Sequence, residues 1–226
     1  MCGRISLFAE LGDLASQFRF DPGLVDGAYR PSWNIAPTTP VLAVMAEGGR
    51  RGAGMMRWGF TYSRRGNHGG SSRPLFNARS ETLTERPAFR ATFASRRCLV
   101  PINGFYEWSG EGGGRTPLWI HRADELPFAL AGIYTAGPDG AAACVITCAP
   151  NSLMEPIHHR MPVVLADDDC DDWLAAESKP EMLQGLLEPR DWPELAARPV
   201  SGAVNRAGAD GPQLIDTVVT ASPRLL

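Results

Sequence analysis

A cysteine stands directly behind the initiator methionine, in the opening residues MCGRISLF. Removal of Met1 would give Cys2 a free α-amine beside its thiol, a 1,2-aminothiol that no internal cysteine can offer. An α-amine with a pKa of about 7.8 is roughly one-quarter unprotonated near pH 7.4, whereas a lysine amine is only about one-thousandth unprotonated. Cys2 is therefore a candidate nucleophile. On position alone, a small apolar residue at a frayed chain end is the simpler interpretation.

Three further segments combine a polar, reactive side chain with apolar or aromatic neighbours. They are FNARSET (76–82) with Asn77, INGFYEWSG (102–110) with Glu107, and EPIHHRMPVVL (155–165) with His158 and His159. Each has a plain structural explanation, because asparagines cap turns, strand glutamates usually face solvent, and loop histidines mostly lie at the surface. A carboxyl group between aromatic rings can instead have a raised pKa and act as a proton donor.

The elements that must position these groups are mostly short strands. Apolar runs predict strands at 41–46, 55–60, 97–102, 105–108, 118–122, 128–135, 143–148, 161–165 and 217–220. Glycine-rich segments at 47–54, 109–115 and 136–140 predict hairpin turns. Helical spacing of Leu11, Leu14 and Phe18 predicts a helix within 9–19, and an acidic first turn favours a second helix at 166–177. We expect one α+β domain over residues 1–226, with a mainly antiparallel, partly closed, barrel-like sheet and a few peripheral helices.

Cysteine usage and the hydropathy pattern set limits on the class of protein. The five cysteines form no C-x-x-C pair and the chain has only four histidines, which disfavours a structural zinc site. Cys98, Cys144 and Cys148 lie in apolar runs and are expected to be buried thiols in a reducing cytoplasm. We see no signal peptide and no membrane span of about 20 apolar residues, so we expect a cytoplasmic protein.

Charge is distributed unevenly along the chain, although the net charge is only −3. Residues 1–100 contain 14 arginines and 7 acidic residues, whereas residues 101–226 contain 7 arginines, Lys179 and 18 acidic residues. This asymmetry predicts a basic face suited to phosphates, built mainly from the first hundred residues. The polar segment SRRGNHGGSSRP (63–74) is either a solvated loop or a mobile arm beside a phosphate track.

The reactive segments match a family pattern in order and in local sequence. The matching segments are MCGR, WNIAPT (33–38), RWGF (57–60), FNARSET, GFYEW, VITCAPN (145–151), IHHRMPVVL and PVSGAVN (199–205). On these segments the chain resembles the SOS-response-associated peptidase (SRAP) family over nearly its full length. The resemblance implies a thiazolidine crosslink between the N-terminal cysteine and an abasic site in single-stranded DNA. It also implies self-removal of Met1 or peptidase-type activity, with no cofactor and no metal. We expect a monomer that is associated with the nucleoid when it is bound to damaged DNA.

Residue roles also follow from the resemblance. It implies catalytic roles for Cys2, Asn77, Glu107 and His158, with Glu107 as proton donor, Asn77 positioning the amine or the sugar oxygen, and His158 shuttling protons. It implies DNA contacts by Arg4, Arg79 and Arg160 to phosphates, and places Asn34, Pro37, Trp58 and Thr147 at the DNA cleft. One departure concerns base stacking: no Pro-x-Trp segment follows Trp58, and Tyr62, Arg64 or Arg65 are the candidates to replace that wedge.

Two other classes of function remain open from the residues themselves. The same four catalytic residues would serve an N-terminal-nucleophile amidase or self-processing peptidase, which would act on amides without DNA. A non-covalent single-strand-binding module would instead keep all of its behaviour when Cys2 is replaced. The charge asymmetry favours DNA over an amide substrate, and the reactive terminal amine favours a covalent link over simple binding.

Overall fold

The computed structural model describes residues 2–60, 74–110, 114–137, 140–206 and 208–218. Within these ranges every helix is too short or too polar to span a bilayer. Most of the arginine-containing segment 63–74, the proposed stacking residues Tyr62, Arg64 and Arg65, and the last two residues of the strand predicted at 217–220 lie outside the described residues.

Strands make up most of the regular structure in the described ranges. They are β1 (Ile5–Leu7), β2 (Ser32–Ile35), β3 (Pro40–Glu47), β4 (Arg50–Trp58), β5 (Asn77–Arg79), β6 (Arg97–Ile102), β7 (Gly104–Ser109), β8 (Thr116–Arg122), β9 (Phe128–Gly137), β10 (Gly140–Cys148), β11 (Met161–Pro162), β12 (Val164–Leu165) and β13 (Leu195–Pro199). The α-helices are α1 (Leu11–Phe18), α2 (Pro87–Ser95), α3 (Asp169–Leu174) and α4 (Pro180–Gly185).

The strands form two sheets, one open and one partly closed. The open sheet has the order β13-β8-β7-β1-β2, and the larger sheet has the order β11-β10-β4-β3-β6-β9-β12, with β5 also paired to β10. Strand β9 pairs with β10 as well as with β6, so β3, β4, β10, β9 and β6 close into a five-stranded ring. Most pairs are antiparallel, while β10 runs parallel to β4 and β5. The predicted α+β fold with a partly closed sheet is confirmed.

The ring has an apolar interior that explains its local sequences. All six residues of β6 are buried, because helices α2 and α3 cover the side of the strand that does not face the ring. Cys98, Cys144 and Cys148 are buried free thiols, as the apolar runs predicted. A strand that is buried on both of its faces has a continuous hydrophobic run instead of an alternating pattern.

Several predicted bounds change in the structure. The helix expected within 9–19 is α1, but the helix expected over 166–177 is shorter, since α3 spans only Asp169–Leu174. The strand expected at 161–165 is divided into β11, which pairs with β10, and β12, which pairs with β9. Val163 lies between them, since its N–H donates to Ile146 of β10 and its carbonyl accepts from Ala131 of β9. Strands of three to five residues, such as β1, β2, β5 and β13, escaped prediction because they are too short to show alternation.

The open sheet has apolar contacts on both faces. Its outer face carries a small cluster of Tyr106, Trp119, Val200 and Val204, formed under the segment that follows β13. Gly104 is required there, because a Cβ at this position would lie 2.3 Å from the Trp119 indole nitrogen. The opposite face of β7 therefore faces the ring. Side chains on that face, which strand alternation would place in solvent, are buried.

Candidate active site

Cys2 lies where the two sheets meet, immediately before β1. The residue is 0% exposed. Asn77, the first residue of β5, donates from Nδ2 to the carbonyl oxygen of Cys2 at 2.7 Å. Strand β5 belongs to the sheet that closes into the ring and β1 to the open sheet, so this hydrogen bond joins the sheets at Cys2.

The Asn77 side chain keeps one polar atom available. Its Oδ1 is buried and has no hydrogen-bond partner among the described residues. Since Nδ2 already holds the Cys2 carbonyl, the free acceptor lies beside the backbone of Cys2. A buried acceptor without a donor is costly, and such atoms are often found at functional sites.

Glu107 is the acidic group of the site. It lies on β7 and is only 3% exposed, because its side chain extends from the barrel-facing side of the open sheet. Burial raises the pKa of Glu107 to about 7 from an ordinary value of 4.5. Burial also raises the pKa of the Cys2 thiol, and the nearby Glu107 carboxylate raises it further. The thiol is therefore held as S–H, next to a carboxyl group that can exchange a proton near neutral pH.

His158 is half-buried in the segment before β11. Its Nδ1 lies 3.0 Å from the backbone nitrogen of Arg160 and 2.9 Å from the backbone oxygen of the same residue. The ring stacks on His159 with a centroid separation of 4.3 Å. The pKa of His158 is lowered, mainly by burial; the backbone contact with Arg160 acts in the opposite direction, and the charge of Arg115 lowers the pKa further. The ring is thus a neutral base at pH 7.

Arg160 is engaged within the protein. It is 9% exposed, and its guanidinium makes a two-pronged ion pair with Glu81, with contacts of 2.5 and 3.0 Å. One of the same nitrogens also donates to the Thr147 carbonyl at 2.6 Å. Thr147 itself is 1% exposed. These two residues were expected to contact DNA, and the structure gives both of them partners inside the fold.

Arg4 and Asn34 form a pair on the outer face of the open sheet. Arg4 donates to Asn34 Oδ1 at 2.6 Å and to the carbonyl of Val204 at 3.0 Å, and Asn34 also holds the Ala209 carbonyl at 2.6 Å. Both side chains remain partly exposed. Alternation along β1 sets Arg4 on the face opposite to the buried side chain of Ile5.

The remaining residues expected at the DNA cleft differ in accessibility. Arg79 is exposed at the end of β5, and Pro37 is half-buried after β2. Trp58 is 0% exposed and donates its indole N–H to the Phe76 carbonyl at 2.9 Å. It packs edge-on against the Phe76 ring, at 6.3 Å between centroids. Trp58 is therefore a core residue beneath the site in this structure, and its ring is not accessible to a base.

Sequence reasoning missed two residues that hold site residues in place. Glu81, within the FNARSET segment, anchors Arg160. Asn205 accepts the indole N–H of Trp108 at 2.8 Å, next in sequence to Glu107. Both belong to segments that were singled out, FNARSET and PVSGAVN, but partners 79 and 97 residues away cannot be paired from one sequence. Among the described residues, no three histidine, cysteine or acidic side chains are grouped so as to hold a metal ion.

Comparisons with known proteins identify the family to which the chain is related. Residues 1–207 match the family model described as SOS response associated peptidase (SRAP). The abasic site processing protein YoqW of Bacillus subtilis (strain 168) is 38% identical over 226 residues, which covers 96% of this chain and 100% of the relative. YoaM of the same organism, also named an abasic site processing protein, is 36% identical over 96% of this chain and 98% of its own. A crystal structure of a protein from Bacteroides thetaiotaomicron has the same fold, with a TM-score of 0.85 at 23% identity over 96% of this chain and 100% of that one. The chain therefore belongs to the SOS response associated peptidase (SRAP) family.

Proposed function

We propose that this protein processes abasic sites in single-stranded DNA by joining Cys2 covalently to the ring-opened sugar. The observation that carries the proposal is the position of the terminal residue, whose carbonyl is held by Asn77 and whose thiol lies beside the buried carboxyl of Glu107. The names of the relatives, abasic site processing proteins, support the choice of substrate. Removal of Met1 turns the amide nitrogen of Cys2 into the required α-amine.

The sugar must first open, because an abasic site is mostly a closed hemiacetal. Opening removes a proton from the hemiacetal hydroxyl and delivers one to the ring oxygen. His158 suits this transfer, since its lowered pKa keeps the ring neutral and able to accept the first proton. The same imidazolium then gives its proton to the ring oxygen, so that the aldehyde forms with no net gain or loss of protons.

The terminal amine then attacks the aldehyde carbon and forms a carbinolamine. The free Oδ1 of Asn77 is the acceptor that orients this amine, while Nδ2 fixes the carbonyl of the same residue. Protonated Glu107 gives its proton to the carbinolamine hydroxyl, which leaves as water, and an iminium remains. The Glu107 carboxylate takes the thiol proton as Sγ attacks the iminium carbon. The products are a thiazolidine, one water molecule and a reprotonated Glu107.

Exposed arginines supply a nonspecific attraction for the DNA backbone. Arg79 at the end of β5, Arg86 just before α2 and Arg90 on α2 are all exposed. Phosphate contacts of this kind are independent of sequence and weaken as salt increases. They suit a lesion that has no base to be read.

The test mixes Met1-processed protein, verified by intact mass, with a single-stranded oligonucleotide that carries one abasic site. We expect an adduct on a denaturing gel that survives heating and has the mass of protein plus DNA minus one water. Cys2→Ser keeps the amine without the thiol, so it should give only an imine that must be trapped by borohydride. Cys170→Ala, in helix α3, is the control and should react like the wild type.

Other outcomes distinguish the two remaining classes. If processed protein gives no adduct, the proposal is wrong, and hydrolysis of peptides or amides without DNA would then identify an N-terminal-nucleophile amidase. If Cys2→Ala binds DNA and protects the abasic site as well as the wild type does, the protein is a non-covalent binding module. Oligomeric state, expected to be monomeric, is read from the same samples by light scattering.

A further inference from the structure

Arg160 contacts two residues that are far apart in the sequence, Glu81 and His158. Its side chain is fixed by Glu81, and its backbone is the partner of the His158 ring. The guanidinium is enclosed by the fold, with a side-chain exposure of 11%, whereas the Glu81 side chain is 50% exposed. A charged group that is this well enclosed keeps its geometry only while its counter-ion is present.

The two prongs of the ion pair make Arg160 rigid. Oε1 and Oε2 of Glu81 each accept from a different guanidinium nitrogen, and one of those nitrogens also reaches the Thr147 carbonyl. Paired contacts between an arginine fork and a carboxylate fix orientation as well as distance. The pKa of Glu81 is lowered, first by its hydrogen bond with Arg160, so the carboxylate is charged at neutral pH.

The backbone of Arg160 offers His158 a partner in both charge states. When the ring is neutral, Nδ1 accepts from the Arg160 N–H at 3.0 Å, and the proton resides on Nε2. When the ring is charged, Nδ1–H can donate to the Arg160 carbonyl at 2.9 Å. The ring can therefore gain and lose a proton without rotating, provided that residue 160 does not move.

We propose that Glu81 is a positioning residue, which holds Arg160 by its side chain and thereby keeps the Arg160 backbone against Nδ1 of His158. The importance of that ring for proton transfer rests on the proposed function, whereas the physical link from Glu81 to the ring does not. Glu81 touches neither the substrate nor the reacting atoms in this scheme. Its effect is to preserve one tautomer of neutral His158, with Nε2 protonated.

The first test is NMR of histidine ring nitrogens in the folded protein without DNA. His158→Gln assigns the signals, and Glu81→Gln removes the charge with little change in shape. In the wild type we expect one protonated and one unprotonated ring nitrogen at pH 8, with well-separated shifts. In Glu81→Gln these shifts should move toward each other, and the titration midpoint should fall by about 0.5 pH unit or more, since an unbalanced guanidinium disfavours the imidazolium.

Asp171→Asn is the matched control, because it removes an acid that pairs with Arg19 and Arg51 on another part of the surface. Its His158 signals should equal those of the wild type. Arg160→Lys provides a second variant that keeps both charges but loses the fork. The shifts of its His158 ring nitrogens should also move toward each other, whereas the titration midpoint should stay near that of the wild type because the charges still balance. Unchanged His158 signals in both folded variants would overturn the proposal.

A kinetic measurement joins this link to the chemistry. The pH midpoint of adduct formation should move with the NMR midpoint in Glu81→Gln and stay in place in Asp171→Asn. If the wild type forms no adduct, the proposed function fails while the NMR result still decides the role of Glu81. If adducts form with the same pH midpoint in both variants although the NMR midpoint moves, Glu81 does not act on the reaction through His158.

Discussion

The buried carboxyl of Glu107 predicts a gain in stability when the residue is neutralised. The pKa of Glu107 is about 7 in the folded protein, compared with an ordinary value of 4.5. The unfolded chain therefore loses this proton at lower pH than the folded chain does. Stability contributed by the protonated group is fully present below pH 4.5, declines as pH rises, and is lost above about pH 7.

The size of the effect follows from the two pKa values. Each pKa difference of one corresponds to about 1.4 kcal/mol, so the full cost of ionising Glu107 in the folded protein is about 3 kcal/mol. Between pH 5 and pH 8 the wild type should lose about 2.5 kcal/mol through this group. Glu107→Gln cannot ionise, so its free energy of unfolding should exceed that of the wild type by about 3 kcal/mol at pH 8 and by less than about 1 kcal/mol at pH 5.

Urea denaturation of both proteins at the two pH values measures this difference. Other titrating groups, such as the buried histidines, are common to both proteins and cancel in the comparison. Glu155→Gln, at an exposed position, is the control and should match the wild type at both pH values. A Glu107→Gln variant that is no more stable than the wild type at pH 8 would refute the reasoning. The same variant should form adducts about 10²-fold to 10⁴-fold more slowly, because it has no proton to donate.

Three further predictions concern the frame around the site. Asn77→Ala should slow adduct formation by about 10²-fold with little effect on DNA affinity, because the amine loses its orientation; single-turnover rates and affinities measure both. Gly104→Ala should destabilise the fold by about 3 kcal/mol or more, since a Cβ would lie 2.3 Å from Trp119, whereas Gly54→Ala, with no atom within 4 Å, should be nearly neutral in the same urea titration. Arg79→Gln should reduce the slope of log affinity against log salt by about 1, as measured by fluorescence anisotropy, if its exposed side chain contacts one phosphate.

The strong apolar runs made much of the sheet predictable. The strand predicted at 97–102 has the same bounds as β6, and the run at 105–108 lies inside β7. Both are long enough for their burial to dominate the local sequence. Short strands such as β5 exist because a neighbour pairs with them, in this case β10, and nothing within three residues reveals that partner.

The candidate site was predicted from a resemblance and not from periodicity. Alternation would turn Glu107 toward solvent if the neighbouring Tyr106 faced the main core. Tyr106 instead packs with Val200 and Val204 on the covered outer face of β7, so Glu107 faces the ring and is buried. Burial of both faces is a property of the assembled sheets. The ion pair of Arg160 with Glu81 was equally out of reach, since a sequence shows which arginines exist but not which of them already have a partner.

The distance between Cys2 and the candidate site residues around it depends on how the two sheets are joined. Strand β6 of the ring continues into β7 of the open sheet with only Asn103 between them. Asn103 is 2% exposed, and its Oδ1 accepts from the backbone N–H groups of Phe8 and Ala9 at 2.8 and 3.0 Å, just after β1. Its Nδ2 donates to the Glu125 carbonyl at 3.2 Å. One buried amide thus ties the start of β7, which carries Glu107, to the end of β1, which follows Cys2.

Strand β6 belongs to the closed ring, and the same ring holds β5 through its pairing with β10. The Glu107 carboxyl group, Cys2 and Asn77 are therefore held in one frame. A site that must keep a proton in the interior at neutral pH needs such a frame, since any loosening that admitted water would return Glu107 to its ordinary pKa.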